Sequence, residues 1–321
     1  LGYQSLYLNL IGSQNTAIGS NSLRSNTGSS NTAVGYSALY TNSNGTQNTA
    51  VGYNSLLVNS TGSYNTALGY NSLGSNSTSS YNVAVGFNSL ANNSTGTQNT
   101  SIGGYAGSTV STGSNLTLIG YNSSPSIANA TNEVTLGNNQ VTTLRCNVQT
   151  ISSLSDLRDK KNIKDLSLGL DFIMKVKPRE FNWDRRDWYE NGVPDGSKMS
   201  EQPTAGFIAQ EFDSLQTSEH AEWLTLVLKN NPDKWEATYG NLLPVIVKAI
   251  QDLKKEKDEL QNKYEKLLSF NQKLAINNEL LTKEINSIKT SISGEIEFQV
   301  KSILSKTQKQ ENGNNKLTLG N

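Results

Sequence analysis

With 321 residues, 27 basic and 27 acidic side chains and a net charge of zero, the chain has room for two or three domains. It offers no electrostatic footprint for nucleic acid or an anionic membrane. A single cysteine, Cys146, excludes an intrachain disulfide, and a single histidine, His220, argues against a histidine-rich metal site. No apolar run reaches the roughly 18 residues of a membrane span, and no cofactor is expected. The charge is unevenly spread. Residues 1–154 hold only Arg24, Glu133 and Arg145, and the other 51 charged residues follow. That places a domain boundary near Leu154–Ser155.

The chain opens on a repeat. Glycine recurs at Gly2, Gly19, Gly35, Gly52, Gly69, Gly86, Gly103, Gly120 and Gly137, every 17 residues with one step of 16. Around it the unit reads Asn48-Thr49-Ala50-Val51-Gly52-Tyr53-Asn54-Ser55-Leu56. A fixed short period predicts a solenoid over 1–137, with one or two short strands per coil. Asn, Ser, Thr and Gly between the apolar positions suit the turns. A disordered polar linker has no need of such a metre. The few apolar residues per coil (Ala50, Val51 and Leu56 in one) predict a core completed only by association of chains, most simply three. Glutamate and lysine are absent from residues 1–132, so no acid–base pair stands there and a glycan hydrolase in this part is disfavoured. Leu1-Gly2 is already in phase with the repeat, so the natural N-terminus is expected upstream. The N-x-A-x-G-like unit resembles the β-roll heads of trimeric bacterial adhesins, although the 17-residue period leaves the handedness open.

Residues 138–154, with Val141, Thr142, Thr143 and Leu144, predict a β-type neck. Cys146 within it reads as a small buried apolar residue rather than a nucleophile.

Four blocks follow in order. They are Ser155-Asp156-Leu157-Arg158-Asp159-Lys160-Lys161-Asn162-Ile163, Lys177-Pro178-Arg179-Glu180-Phe181-Asn182-Trp183, Gly206-Phe207-Ile208-Ala209-Gln210-Glu211, and Tyr239-Gly240-Asn241-Leu242-Leu243-Pro244. On spacing alone the simpler reading of the first block is that Ser155 or Asp156 caps a short helix and Lys160 is solvated. Taken together, the blocks resemble the C-terminal intramolecular chaperone auto-processing domain of phage endosialidase tail spikes and tail fibres. That resemblance implies a chaperone that promotes fibre trimerisation and is then cut off at its own N-terminal boundary. It makes Ser155 the nucleophile, Lys160 the base and Leu154–Ser155 the scissile bond. A lysine acts as a base only when desolvation or nearby positive charge favours its neutral form, and Arg158 and Lys161 are the candidates for that charge. Asp159 departs from the family pattern and would oppose it. His220 matches no family catalytic position and reads as a surface or loop histidine. Gln210 and Glu211 either line a site or serve buried structural hydrogen bonds.

Within this region Leu166–Met174 predicts a short helix, Arg179–Trp183 a strand, Asp184–Pro203 a loop, and Thr204–Ala209 a strand leading into a helix from Gln210. From Pro244 to about Ser293 the chain predicts one long helix with heptad d residues Leu253, Leu260, Leu267, Leu274, Leu281 and Ile288. Asn271 and Asn278 occupy a positions, and Gly294 is expected to break the helix before a second, shifted one carrying Ile296, Val300 and Ile303.

The expected organisation is therefore multidomain and homotrimeric. A β-solenoid (β-roll) spans 1–137 and a β neck 138–154. An α+β chaperone and self-cleaving peptidase domain spans 155–249, a trimeric coiled coil 250–310 and a frayed tail 311–321. As a virion tail fibre its expected partners are its own copies and a host-cell receptor or glycan, with no nucleic acid and no membrane insertion. A non-cleaving trimeric adhesin or receptor-binding fibre is the alternative.

Overall fold

In each repeat a triplet such as Thr32-Ala33-Val34 alternates outward, inward, outward, because side chains of an extended chain point to opposite faces. The computed structural model describes residues 1–147 and 153–315. Eight such triplets form one parallel sheet in chain order: Thr16–Ile18, Thr32–Val34, Thr49–Val51, Thr66–Leu68, Val83–Val85, Thr100–Ile102, Thr117–Ile119 and Val134–Leu136. The register is one repeat per step, with Ala33 opposite Ala50 and Ala50 opposite Ala67. A second, three-stranded parallel sheet of Ser25–Asn26, Thr41–Asn42 and Val58–Asn59 forms another side of the roll.

The core is closed within one chain, which corrects the expectation of a core shared between chains. Ala33, Ala50, Ala67 and Ala84 are fully buried, as are Leu23, Leu39, Leu56, Leu73 and Leu90. The apolar count per coil is low, but the remaining interior is filled by asparagine. Asn42 Nδ2 donates to Asn26 Oδ1 and Asn59 Nδ2 to Asn42 Oδ1, both at 2.6 Å. Each amide also donates to a backbone carbonyl three residues on, Gly45 or Gly62. In a parallel row, Asn65 N–H donates to Asn48 Oδ1 and Asn82 N–H to Asn65 Oδ1. Buried polar groups satisfied in this way carry little penalty, whereas unsatisfied ones cost about 1–3 kcal/mol each. The first ladder stops at Asn93, because the next coil has Val110 in its place; Asn93 Oδ1 is buried without a partner.

The buried leucines sit in the left-handed region, with φ of 50° at Leu39, Leu56 and Leu73. That conformation costs about 1–2 kcal/mol for a residue with a Cβ, and full burial of a leucine offsets it with about 1.5–3 kcal/mol. Gly52 needs no such compensation. Its φ is +136°, and a Cβ there would collide with the carbonyl oxygen of Gly69 in the next coil.

Residues 138–147, expected as a β neck, contain no strand, and 139–147 are exposed, Cys146 included. Cys146 is therefore not a buried apolar residue. Residues 148–152 of the expected neck lie outside the described residues.

By packing, the chain divides into two units. The first joins Leu1–Ile163 to Ile208–Asp213 and Thr225–Thr238. Within it a hairpin pairs Val227–Leu228 with Glu236–Ala237, and Asn231 Nδ2 donates to Ser126 O of the last coil at 3.0 Å. The second unit comprises Lys164–Phe207, Ser214–Leu224 and the chain from Tyr239. Its short helix α1, Leu170–Ile173, lies inside the predicted span and buries Phe172. An antiparallel pair joins Arg179–Phe181 to Thr204–Gly206. The loop between them is organised by Asp184, which accepts from Tyr189 Oη at 2.6 Å and from Gly196 N–H at 3.0 Å. Helix α2 covers Ala209–Ser218.

Helix α3 runs from Leu243 to Asn315, 73 residues and about 110 Å. It continues through Gly294, correcting the predicted break. A single glycine costs a helix only about 1 kcal/mol, too little to end one this long. The expected tail is also helical as far as Asn315, and residues 316–321 lie outside the described residues. Its base is anchored: α1 packs on it, Asp252 Oδ2 accepts from Leu170 N–H at 3.4 Å, and Lys248 donates to Asp252 Oδ1. Beyond that base the heptad leucines are open to solvent, Leu260 at 68% and Leu281 at 54% exposure. Among the described residues no helix is long and apolar enough to cross a membrane.

Candidate functional site

The first block after the charge boundary folds into a single tight turn. Residues Leu157–Asp159 form a 3₁₀ turn capped by Asp156, whose Oδ1 accepts from the backbone N–H of Arg158 at 2.8 Å. The same carboxylate holds the Arg158 guanidinium in a fork, Nε to Oδ1 at 3.0 Å and Nη2 to Oδ2 at 2.7 Å. The hydrogen bonds from Arg158 hold the Asp156 carboxyl below the ordinary carboxylate range, and the carboxylate in turn raises the guanidinium. Lys160 closes the turn, its N–H donating to Leu157 O at 3.2 Å.

This reversal brings the two sequence-predicted residues together: Lys160 Nζ donates to Ser155 Oγ. Both are exposed, and Leu154, on the other side of the Leu154–Ser155 bond, is fully exposed. The simple reading of the block therefore holds as far as Asp156 is the cap and Lys160 is solvated. It misses the contact between lysine and serine. Arg158, expected to lend positive charge to Lys160, has that charge committed to Asp156, and this corrects the sequence expectation. The double role of Asp156 was not foreseen, although Asp two residues before Arg is the signal that carries it.

His220 is an exposed loop residue with φ of 52°, as expected. Gln210 is exposed in the first turn of α2 and Glu211 half-buried beside it. An open recess of about 590 Å³ lies in the second unit between Asp165-Leu166 and the base of α3 (Leu243, Val247, Lys248). Neither Ser155 nor Lys160 lines it.

Residues 155–219 match the family model described as chaperone of endosialidase. The match begins on Ser155 itself, the residue that opens the charged half and accepts from Lys160. The chaperone-of-endosialidase segment is a minor part of the chain. It follows the solenoid, contains α1, the Arg179–Phe181/Thr204–Gly206 pair and α2, and precedes α3. No curated protein and no solved structure matches the chain.

Proposed function

We propose that this chain belongs to a tail-fibre-type particle protein, with the solenoid as the fibre part and the chaperone-of-endosialidase segment as its intramolecular chaperone. On this reading α3 gathers three chains, the fibre is completed, and the chaperone is released by cleavage at Leu154–Ser155. The observation that carries it is the Lys160–Ser155 hydrogen bond at the first residue of the family match.

The chemistry follows from that contact. With Lys160 neutral, the polarity of the bond reverses and Ser155 Oγ–H donates to Nζ. The oxygen attacks the Leu154 carbonyl carbon, and the proton passes through Nζ to the departing Ser155 nitrogen. Water then hydrolyses the Leu154 ester, leaving a Leu154 carboxylate and a free Ser155 hydroxyl and amine. In the single chain Lys160 is exposed to solvent. Closing three copies of the junction around one another would exclude water and favour the neutral amine. Cleavage is thereby tied to assembly.

Particle-surface location and attachment to a host receptor or glycan belong to the same reading. The permanently attached, non-cleaving fibre is its alternative. An SDS gel with mass spectrometry of the purified chain decides between them: cleavage at Leu154–Ser155 supports the first, and an intact chain in an assembled trimer the second.

A further inference from the structure

The closed core leaves an apolar face that the fold does not use. On the outer side of the eight-stranded sheet, the residue before each repeat glycine forms one row: Ile18, Leu68, Ile102 and Ile119 are 41–47% exposed. Two positions further on, an aromatic forms a second row. Tyr36, Tyr53, Tyr70 and Phe87 stack with centroids 5.1, 5.2 and 5.0 Å apart and planes within 14°. Tyr105 continues the row edge-on at 5.1 Å from Phe87. Together the nine side chains, each 38–48% exposed, present roughly 800 Å², above the ~300–600 Å² of the largest patch on an ordinary monomer. This area is comparable to the ~800 Å² that one partner brings to a stable interface.

We propose that this face is the surface against which copies of this chain pack, side by side and in register. The inference rests on the self-association proposed above and names the residues it buries. Three observations select the occupant. The stacked tyrosines turn their faces to one another, so a sugar ring finds aromatic edges rather than a face to lie on; this disfavours a glycan. The face also repeats at the strand spacing over eight strands, and a parallel copy reproduces that spacing by identity. Finally, residues 1–132 contain no Asp, Glu or Lys and a single Arg, Arg24, so identical faces meet without like-charge repulsion. The exposed heptad residues of α3, such as Leu260 and Leu267, would bring copies together in the parallel orientation this requires.

The test uses the full chain kept whole by Ser155→Ala, with Cys146→Ser as background and one new cysteine at a time. Leu68→Cys and Ile102→Cys lie on the proposed face. Val58→Cys lies on the three-stranded sheet and is 42% exposed in the single chain. In assembled protein, identified by light scattering, the first two should react with a maleimide at least tenfold more slowly than the third. In denaturant all three should react alike. If Leu68→Cys and Ile102→Cys label as fast as Val58→Cys in a confirmed trimer, the face is open and the inference fails while self-association stands. A monomer by light scattering overturns both.

Discussion

The Arg158 guanidinium grips the Asp156 carboxylate through two parallel hydrogen bonds, with Nη2 2.7 Å from Oδ2. A fork of this geometry is stronger than a single neutral bond and fixes direction as well as distance. Here it stiffens the turn that carries Lys160 back to Ser155, and it leaves Arg158 little charge to lend. Removing the Asp156 side chain should therefore slow self-cleavage through geometry. Asp156→Ala, which removes the cap together with the fork, should cut at a clearly reduced rate. Asp156→Asn, which keeps the capping oxygen, should retain most of the rate. Cleavage time courses of the two variants beside wild type check this, and equal rates in all three would remove the turn from the mechanism.

The cleavage itself has a simple signature. Wild-type protein should yield fragments of about 15 and about 19 kDa, counting ~110 Da per residue and less for the Gly/Ser-rich half. Ser155→Ala and Lys160→Ala should leave the chain whole. Lys160→Arg should do so too, because a guanidinium keeps its proton in proteins. Persistence of the same cut in all three would exclude these residues as the dyad.

Because the solenoid core closes within one chain, residues 1–147 should fold alone with β-type circular dichroism and a cooperative melt. Leu56→Ala, at a fully buried position, should cost about 2–5 kcal/mol. Asn59→Ala should cost about 1–3 kcal/mol, since it strands Asn42 Oδ1 and the donor of Asn76. Urea titrations give both values. An unfolded or aggregated wild-type fragment would restore the idea of a core shared between chains.

Assembly should depend on α3. Leu260→Glu with Leu267→Glu places charge in a layer that association would bury, which costs several kcal/mol. The double variant should lose the trimer by light scattering and, if cleavage follows assembly, lose cleavage too. A monomeric variant that still cuts at the wild-type rate would uncouple the two events.

Docking of α1 on α3 should be acid-sensitive. The Lys248 side chain, and to a lesser degree Leu170 N–H, hold the Asp252 carboxyl below its ordinary value against a smaller opposing effect of desolvation. A carboxyl depressed in the folded state contributes stability that is fully present above its unfolded value of about 3.9 and is lost as pH falls through the lower folded value. The Phe172 environment, followed by side-chain NMR, should thus be constant from neutral pH to about pH 5 and loosen only below about pH 4. In Asp252→Asn that acid step should vanish.

The sequence by itself determined the elements whose signal is local and repeated. The metre of Gly35, Gly52 and Gly69 specifies coils because a Cβ at each would strike the next coil's carbonyl. The heptad leucines specify a long helix because periodicity needs no partner to be read. The five-residue spacing of Ser155 and Lys160 was legible with the neighbouring blocks, since one turn suffices to join them. Tertiary structure alone decided the rest. Nothing in the composition says that Asn26, Asn42 and Asn59 stack inward and fill a core that too few apolar residues leave open; an asparagine belongs inside only when the coils above and below supply its donors and acceptors. Gly294 looks like a break until roughly 50 preceding helical residues outweigh its ~1 kcal/mol cost. The charge of Arg158 is available or spent depending on where one carboxylate points, and that direction is set by the turn, not by proximity in the chain.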